Sequence, residues 1–190
     1  MNRLFVFFCL LPMPVLAHVD TGASSAAPLG AFLHPFTGLD HLAVMLALGI
    51  YAAWQGGRSR WLLPAAFLVA MAAGALAAVA TRTGIPTEAG IAASLCLAGL
   101  AVALRRRLWP AAVLMVVVFS ALCHGYAHGS ELLQAGAVVP PLFAFLAATA
   151  LLHGIGLLLG SEVRQPAAAL LLRCAGGGAA VAGAWLLVAG

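Results

Sequence analysis

Hydrophobic residues occupy six long stretches of this chain, separated by short segments of glycine, proline and charged residues. A helix needs about 20 apolar residues to cross the hydrocarbon core of a bilayer. The pattern therefore predicts six transmembrane helices, of which the third is the shortest. The expected bounds are 33–53, 61–80, 89–104, 108–128, 138–160 and 167–190. All the connections are short, so residues 18–190 are expected to form one all-α membrane domain, a six-helix bundle.

Residues 1–17 have the pattern of a cleaved secretory signal peptide. Arg3 supplies the positive charge, residues 4–11 form a short apolar core, and Ala17 is a small residue suited to cleavage. The apolar part is too short and too rich in proline to be a membrane span. Cleavage after Ala17 would leave His18 at a mature N-terminus outside the cytoplasm, where its amine and imidazole form a further candidate metal ligand.

Arginine is concentrated on one side of the predicted domain. With the mature N-terminus outside, the first, third and fifth connections face the cytoplasm, and the outer connections carry only Arg82. The inner arginines are Arg58, Arg60, Arg105, Arg106, Arg107 and Arg164. This distribution follows the positive-inside rule and predicts a multi-pass protein of the bacterial inner membrane with both mature termini outside. Arg173, in the last span, is expected to snorkel inward or to pair with Glu162.

The amino-acid composition excludes several other classes of protein. Hydrophobic residues make up 64% of the chain and charged residues only 7%, whereas soluble domains carry about 25% charged residues. A soluble domain, a disordered chain and a nucleic-acid-binding protein are thereby excluded, and the bilayer is the expected partner. The sequence also lacks a Walker A motif, so no direct binding of ATP is expected. An ionisable residue inside a span costs roughly 2.5–3.5 kcal/mol on insertion scales and is therefore a functional candidate.

The first predicted span opens with a cluster of such residues. On one continuous helix His34, His41 and Met45 would share a face. Asp40 would lie about 100° around the helix from His41, close enough to bind a metal from the side or to orient an imidazole. Gly38 would let another helix or an ion approach the backbone.

The fourth span ends in a second cluster. His124, His128 and Glu131 stand at positions i, i+4 and i+7, which is one helical face if the helix continues that far. With the orientation above, both clusters lie in the outer half of the membrane. Imidazole suits nickel, copper, zinc and iron, and carboxylate oxygens suit a hard or borderline divalent ion. The two clusters together therefore predict a site for a divalent metal ion.

His153 lies alone in the fifth span, nearer the cytoplasmic side. It is either a further step on an ion path or a polar link between helices. Together with Met45 and His18 it is a secondary candidate for metal binding.

Three functions remain open on these residues alone. A permease would bind the ion transiently, well enough to remove part of its water shell and weakly enough to release it. An intramembrane metalloenzyme would retain the metal to activate water. A membrane haem protein would use imidazoles as axial ligands, but the nearby carboxylates disfavour an apolar haem pocket.

The two clusters resemble motifs of the HupE/UreJ family of small nickel permeases associated with hydrogenases and ureases. The first motif, HPxxGxDHxxxM, is matched by His34, Pro35, Gly38, Asp40, His41 and Met45. The second, HGxAHGxE, is matched by His124, Gly125, Ala127, His128, Gly129 and Glu131. The resemblance implies a permease rather than an enzyme, with Ni²⁺, or else Co²⁺, as the transported ion and no bound cofactor. It also implies that the ion supplies the maturation of a cytoplasmic hydrogenase or urease.

Overall fold

A computed structural model describes residues 27–163 and 165–189 of the chain, and all the regular structure in that part is helical. The helices are α1 (Pro28–Thr37), α2 (Leu39–Gln55), α3 (Ser59–Thr81), α4 (Glu88–Leu104), α5 (Pro110–Gln134), α6 (Val139–Glu162) and α7 (Pro166–Ala189). The all-α prediction is thus confirmed. The predicted signal peptide, residues 1–17, and His18 lie outside the described residues.

Four helices are long and apolar enough to cross a membrane, namely α3, α5, α6 and α7. The pair α1 and α2 passes the same test when taken together, although the two helices are bent by 77° at their junction, which gives up to five candidate spans. Helix α4 is apolar but has only 17 residues. The chain is therefore a helical membrane protein with four to five candidate spans by length and composition.

The first predicted span is not one helix, and this corrects the sequence-based expectation. Gly38 has an extended backbone (φ −79°, ψ 107°) and separates α1 from α2. Its N–H donates to the carbonyl of His34, and its own carbonyl accepts from the N–H of Leu42, so it closes one helix and opens the next. The Thr37 hydroxyl donates to the same His34 carbonyl. His34 and His41 are consequently on different helices rather than on one helical stripe.

Gly38 also has a steric role different from the expected one. A side chain at this position would crowd the Asp40 carboxylate and the His41 imidazole, at 3.2 and 3.3 Å from the added carbon. The glycine therefore leaves room for these two side chains of its own segment, and no second helix approaches it closely.

The connections that carry most of the arginines meet at one end of the bundle. The Tyr51 hydroxyl donates to the carbonyl of Arg106 at 3.2 Å, and Trp54 Nε1 donates to the carbonyl of Gly160 at 3.1 Å. Arg60 donates to the hydroxyl of Ser161 at 2.9 Å. The segments between α2 and α3, between α4 and α5, and between α6 and α7 thus lie at one end of the bundle.

Of the two alternatives expected for Arg173, snorkelling or a pair with Glu162, the structure shows a side chain that reaches the arginine-rich end of the bundle. Its Nε donates to the carbonyl of Ala103 at 2.7 Å, at the end of α4. The expected pair with Glu162 is not formed, and Arg173 instead satisfies a carbonyl that the end of a helix leaves unpaired.

The helices pack in pairs through glycine contacts. Helix α3 packs on α5, α2 on α6 and α4 on α7. A side chain at Gly125 or Gly129 of α5 would overlap the backbone of α3, and one at Gly156 of α6 would overlap the backbone of α2. Such small-residue contacts are typical of membrane helices, because lipid gives no hydrophobic drive for association and close packing has to supply it.

Candidate metal centre

Three histidines from three different helices meet at the end of the bundle opposite the arginine-rich connections. His34 of α1, His41 of α2 and His128 of α5 each offer a ring nitrogen, and these nitrogens all lie within 4.8 Å of one another. His41 and His128 are buried, with 8% and 1% of their surface exposed, and His34 is partly buried. We call these three residues the outer histidine cluster. Their nitrogens are close enough to bind one ion.

A carboxylate lies behind each of the two buried imidazoles of the cluster. The Nδ1 of His41 is 3.0 Å from Asp40 Oδ1, and the Nδ1 of His128 is 3.1 Å from Glu131 Oε2. The same Asp40 oxygen also accepts the backbone N–H of His41 at 2.9 Å. A carboxylate at Nδ1 favours the tautomer with the proton on Nδ1 and raises the basicity of Nε2, as carboxylates behind metal-bound histidines do. Asp40 and Glu131 therefore orient the imidazoles in this arrangement.

The two free ring nitrogens then point at each other. His41 Nε2 and His128 Nε2 are 2.9 Å apart. If both Nδ1 atoms are protonated toward their carboxylates, both Nε2 atoms carry a lone pair, and two lone pairs at this distance repel unless a proton or a cation lies between them. Nitrogen ligands bind transition metals at about 2.0–2.1 Å, and two such ligands at a right angle are about 2.9 Å apart. The pair is thus spaced for adjacent positions around one metal ion.

His124 lies one turn deeper on α5 and is fully buried. Its Nε2 is 2.9 Å from the hydroxyl of Ser94, which itself donates to the carbonyl of Ile91 at 2.6 Å. Because that hydroxyl has a single proton, His124 Nε2 is the donor to Ser94, and Nδ1 keeps its lone pair. No hydrogen-bond partner reaches this Nδ1. With its ring 4.9 Å from that of His41, His124 provides a further nitrogen donor below the outer histidine cluster.

Two phenylalanines enclose these imidazoles. The ring of Phe145 on α6 lies 4.1 Å from that of His128 and 5.4 Å from that of His34. The ring of Phe67 on α3 lies 5.9 Å from that of His124, on the deeper side of the site. Both phenylalanines are fully buried, so they exclude water from the inner side of the site.

Sequence reasoning missed Ser94, Phe67 and Phe145. A serine or a phenylalanine inside an apolar span carries no signal of its own, and only the packing of α3, α4 and α6 on α5 brings these side chains to the histidines.

Two of the secondary candidates, Met45 and His153, lie among the described residues. Met45 is buried on α2, one turn deeper than His41. His153 is buried deeper in the bundle, where its ring packs against Phe67 at 5.1 Å. The predicted helical face of His124, His128 and Glu131 does form, because α5 continues to Gln134.

Replacing Ser94 by Ala is expected to destabilise the protein by about 1–3 kcal/mol, the usual cost of an unpaired buried donor. The change leaves His124 Nε2 buried without its partner, and a change of tautomer brings no relief because no partner reaches Nδ1 either. Thermal unfolding in detergent would measure the effect, with Ser120→Ala as the control, because Ser120 is also buried but makes no hydrogen bond to a histidine in the described structure. Equal melting temperatures for the two variants would contradict the assigned hydrogen bond.

Comparison with known proteins identifies relatives of this chain. The family described as HupE / UreJ protein matches residues 6–186. Protein HupE of Rhizobium leguminosarum bv. viciae is 36% identical over 187 residues, which covers 98% of this chain and 98% of that protein. No solved structure matches the chain. A match of this extent, to both the family and a full-length relative, shows that the chain belongs to the HupE/UreJ family.

Proposed function

We propose that this protein is a permease of the bacterial inner membrane that passes a divalent transition-metal ion, Ni²⁺, into the cytoplasm. The observation that carries the proposal is the outer histidine cluster, in which nitrogens from α1, α2 and α5 converge within 4.8 Å inside a bundle of apolar helices. The family resemblance supports nickel as the ion and the maturation of a hydrogenase or urease as its use. Asp40, Glu131 and His124 complete the proposed site.

An incomplete ligand set favours transport over retention of the metal. Three nitrogens leave open coordination positions that water can fill, and a transported ion must be released as readily as it is bound. His34 also stands on α1, which is separated from α2 by the break at Gly38. One ligand can therefore move relative to the other two by rotation at a single residue, whereas a retained catalytic metal is held on rigid elements.

The proposed topology has a cleaved signal peptide followed by six spans. The bent pair α1 and α2 forms the first span, and the short α4 forms the third. Loss of residues 1–17 would leave the mature N-terminus outside, and the arginine-rich connections would face the cytoplasm. The outer histidine cluster then opens toward the side from which the ion arrives.

Two cysteine substitutions test this topology. A membrane-impermeant maleimide is expected to label Gly84→Cys in intact spheroplasts and to label Gln165→Cys only after the membrane is permeabilised, because these exposed residues lie in the second and fifth connections. The parent protein measures labelling of the native thiols, which include Cys96, Cys123 and Cys174. The reverse pattern of labelling would contradict the proposed orientation.

Uptake of radioactive nickel by metal-limited cells tests the function. We expect accumulation that depends on this protein and falls when excess unlabelled nickel is added, and Co²⁺ and Zn²⁺ as competitors report the choice of ion. A protein that holds one metal ion tightly after purification and supports no uptake would instead be a metalloenzyme, and the proposal would fail.

A further inference from the structure

We propose that His153 is a second, inner binding station for the transported ion, separated from the outer site by the ring of Phe67. This inference rests on the proposed function, since it extends the path of the same ion.

His153 is buried and unpaired. Only 1% of its surface is exposed, and neither Nδ1 nor Nε2 has a hydrogen-bond partner. A neutral imidazole has one donor and one acceptor nitrogen, and each buried polar group without a partner costs about 1–3 kcal/mol. A polar link between helices, the structural alternative for this residue, would use at least one of the two nitrogens. Here neither is used, so both remain available to an ion and its water.

His153 lies deeper in the bundle than the histidines of the outer site. A side chain at Gly49 of α2 would overlap the carbonyl of His153, so the two residues lie at one depth. Gly49 follows His41 by eight residues on α2, which at 1.5 Å per residue is about 12 Å deeper. Within the described residues, His153 is the only buried histidine or acid besides His41, His124 and His128.

Phe67 lies between the outer site and His153 and forms the barrier between them. Its fully buried ring packs edge-on against His153 at 5.1 Å and also contacts the ring of His124 at 5.9 Å. The ion therefore exchanges the nitrogens of the outer site for the nitrogen of His153 by passing a single phenyl ring. Two separate stations with a barrier between them let an ion leave each site without giving up all of its ligands in one step.

Two further donor groups lie beside His153. Thr149 is one turn away on the same face of α6, and its hydroxyl lies 3.8 Å from the thioether sulfur of Met71 on α3. Met71 is in turn one turn from Phe67 on α3. An imidazole, a hydroxyl and a thioether thus line the contact between α3 and α6. The neighbouring cavity of about 210 Å³ between α2, α4 and α5 is lined by apolar side chains with Tyr51, Ser94 and Ser120, and it offers no histidine or acid.

Substitutions at His153 separate this proposal from the proposed function. In His153→Leu and His153→Asn, we expect nickel uptake to fall at least tenfold, while nickel binding to the outer site of the purified protein keeps its affinity within twofold. His153→Cys restores a metal ligand and is expected to keep more uptake than His153→Asn, which a purely structural role would not produce. Leu152→Met, at the adjacent buried position, is the control and is expected to transport normally.

The measured uptake and binding of these variants decide whether His153 is an inner binding station. Uptake at the parent rate in His153→Leu or His153→Asn would overturn the inner station, as would loss of outer-site binding in both. If His153→Leu is absent from the membrane, the polar His153→Asn variant decides alone. Failure of the parent protein to transport nickel would overturn the proposed function itself, and that result is visible before any variant is compared.

Discussion

Replacing Asp40 by Asn is expected to lower nickel uptake by about 10–100-fold, the usual loss when a carboxylate behind a metal-bound histidine is removed. Asp40 Oδ1 accepts hydrogen bonds from both the ring Nδ1 and the backbone N–H of His41. Asparagine keeps the shape but removes the negative charge, so His41 Nε2 becomes a weaker ligand and the entering cation loses a compensating charge. Uptake of labelled nickel, normalised to the amount of protein in the membrane, measures the effect.

Glu162→Gln is the matched control for this change. It also converts an acid to an amide, but Glu162 lies exposed at the end of α6 among the arginine-rich connections, far from the outer histidine cluster. We expect it to transport at the parent rate. His41→Ala should show the same loss as Asp40→Asn, because it removes the ligand that Asp40 orients. Parent-level uptake by Asp40→Asn and His41→Ala, with normal protein levels, would contradict the assignment of the site.

The second cluster could be predicted from its spacing, whereas the geometry of the first could not. His124, His128 and Glu131 lie on one continuous helix, so helical periodicity placed them correctly. Helical periodicity also predicted that His34 and His41 share one face of a continuous helix, but the chain turns by 77° between their helices. The histidines still meet, because the bend at Gly38 folds α1 back toward α5 and α6. Glycine permits the extended conformation at that point without requiring it, so the break depends on tertiary packing.

The walls of the site could not be predicted for a different reason. In a soluble protein, the faces of a helix differ in polarity, and the buried face can be read from the sequence. In a membrane, the faces that contact lipid and the faces that contact other helices are both apolar. Phe67 and Phe145 are fully buried beside the histidines, while Phe119 and Phe143 are exposed on the outside of the bundle. The amino-acid composition of these spans does not distinguish the buried phenylalanines from the exposed ones.

Replacing Gly125 by Ala is expected to abolish nickel uptake and to lower the melting temperature of the purified protein. A methyl group at Gly125 would overlap the backbone carbonyl of Met71, which cannot move without shifting α3. Overpacking of this kind costs about 1–3 kcal/mol. Because Gly125 directly follows His124 and precedes His128 by three residues on α5, any shift that relieves the overlap also moves both imidazoles relative to His41. The distance of 2.9 Å between His128 Nε2 and His41 Nε2 leaves little room for such a shift.

Gly154→Ala provides the matched control, since the same methyl group would meet no atom within 4 Å at that position. Gly154 is inside α6, and an alanine there should be neutral or stabilise the helix by about 0.5–1 kcal/mol. If both variants lost stability equally, the effect would reflect the general sensitivity of membrane helices to added volume. If only Gly125→Ala loses stability and uptake, the close contact of α3 with α5 is what holds His124 and His128 at the correct distance from His41. The glycines of the second motif then act on the metal indirectly, by fixing the distance between helices that carry its ligands.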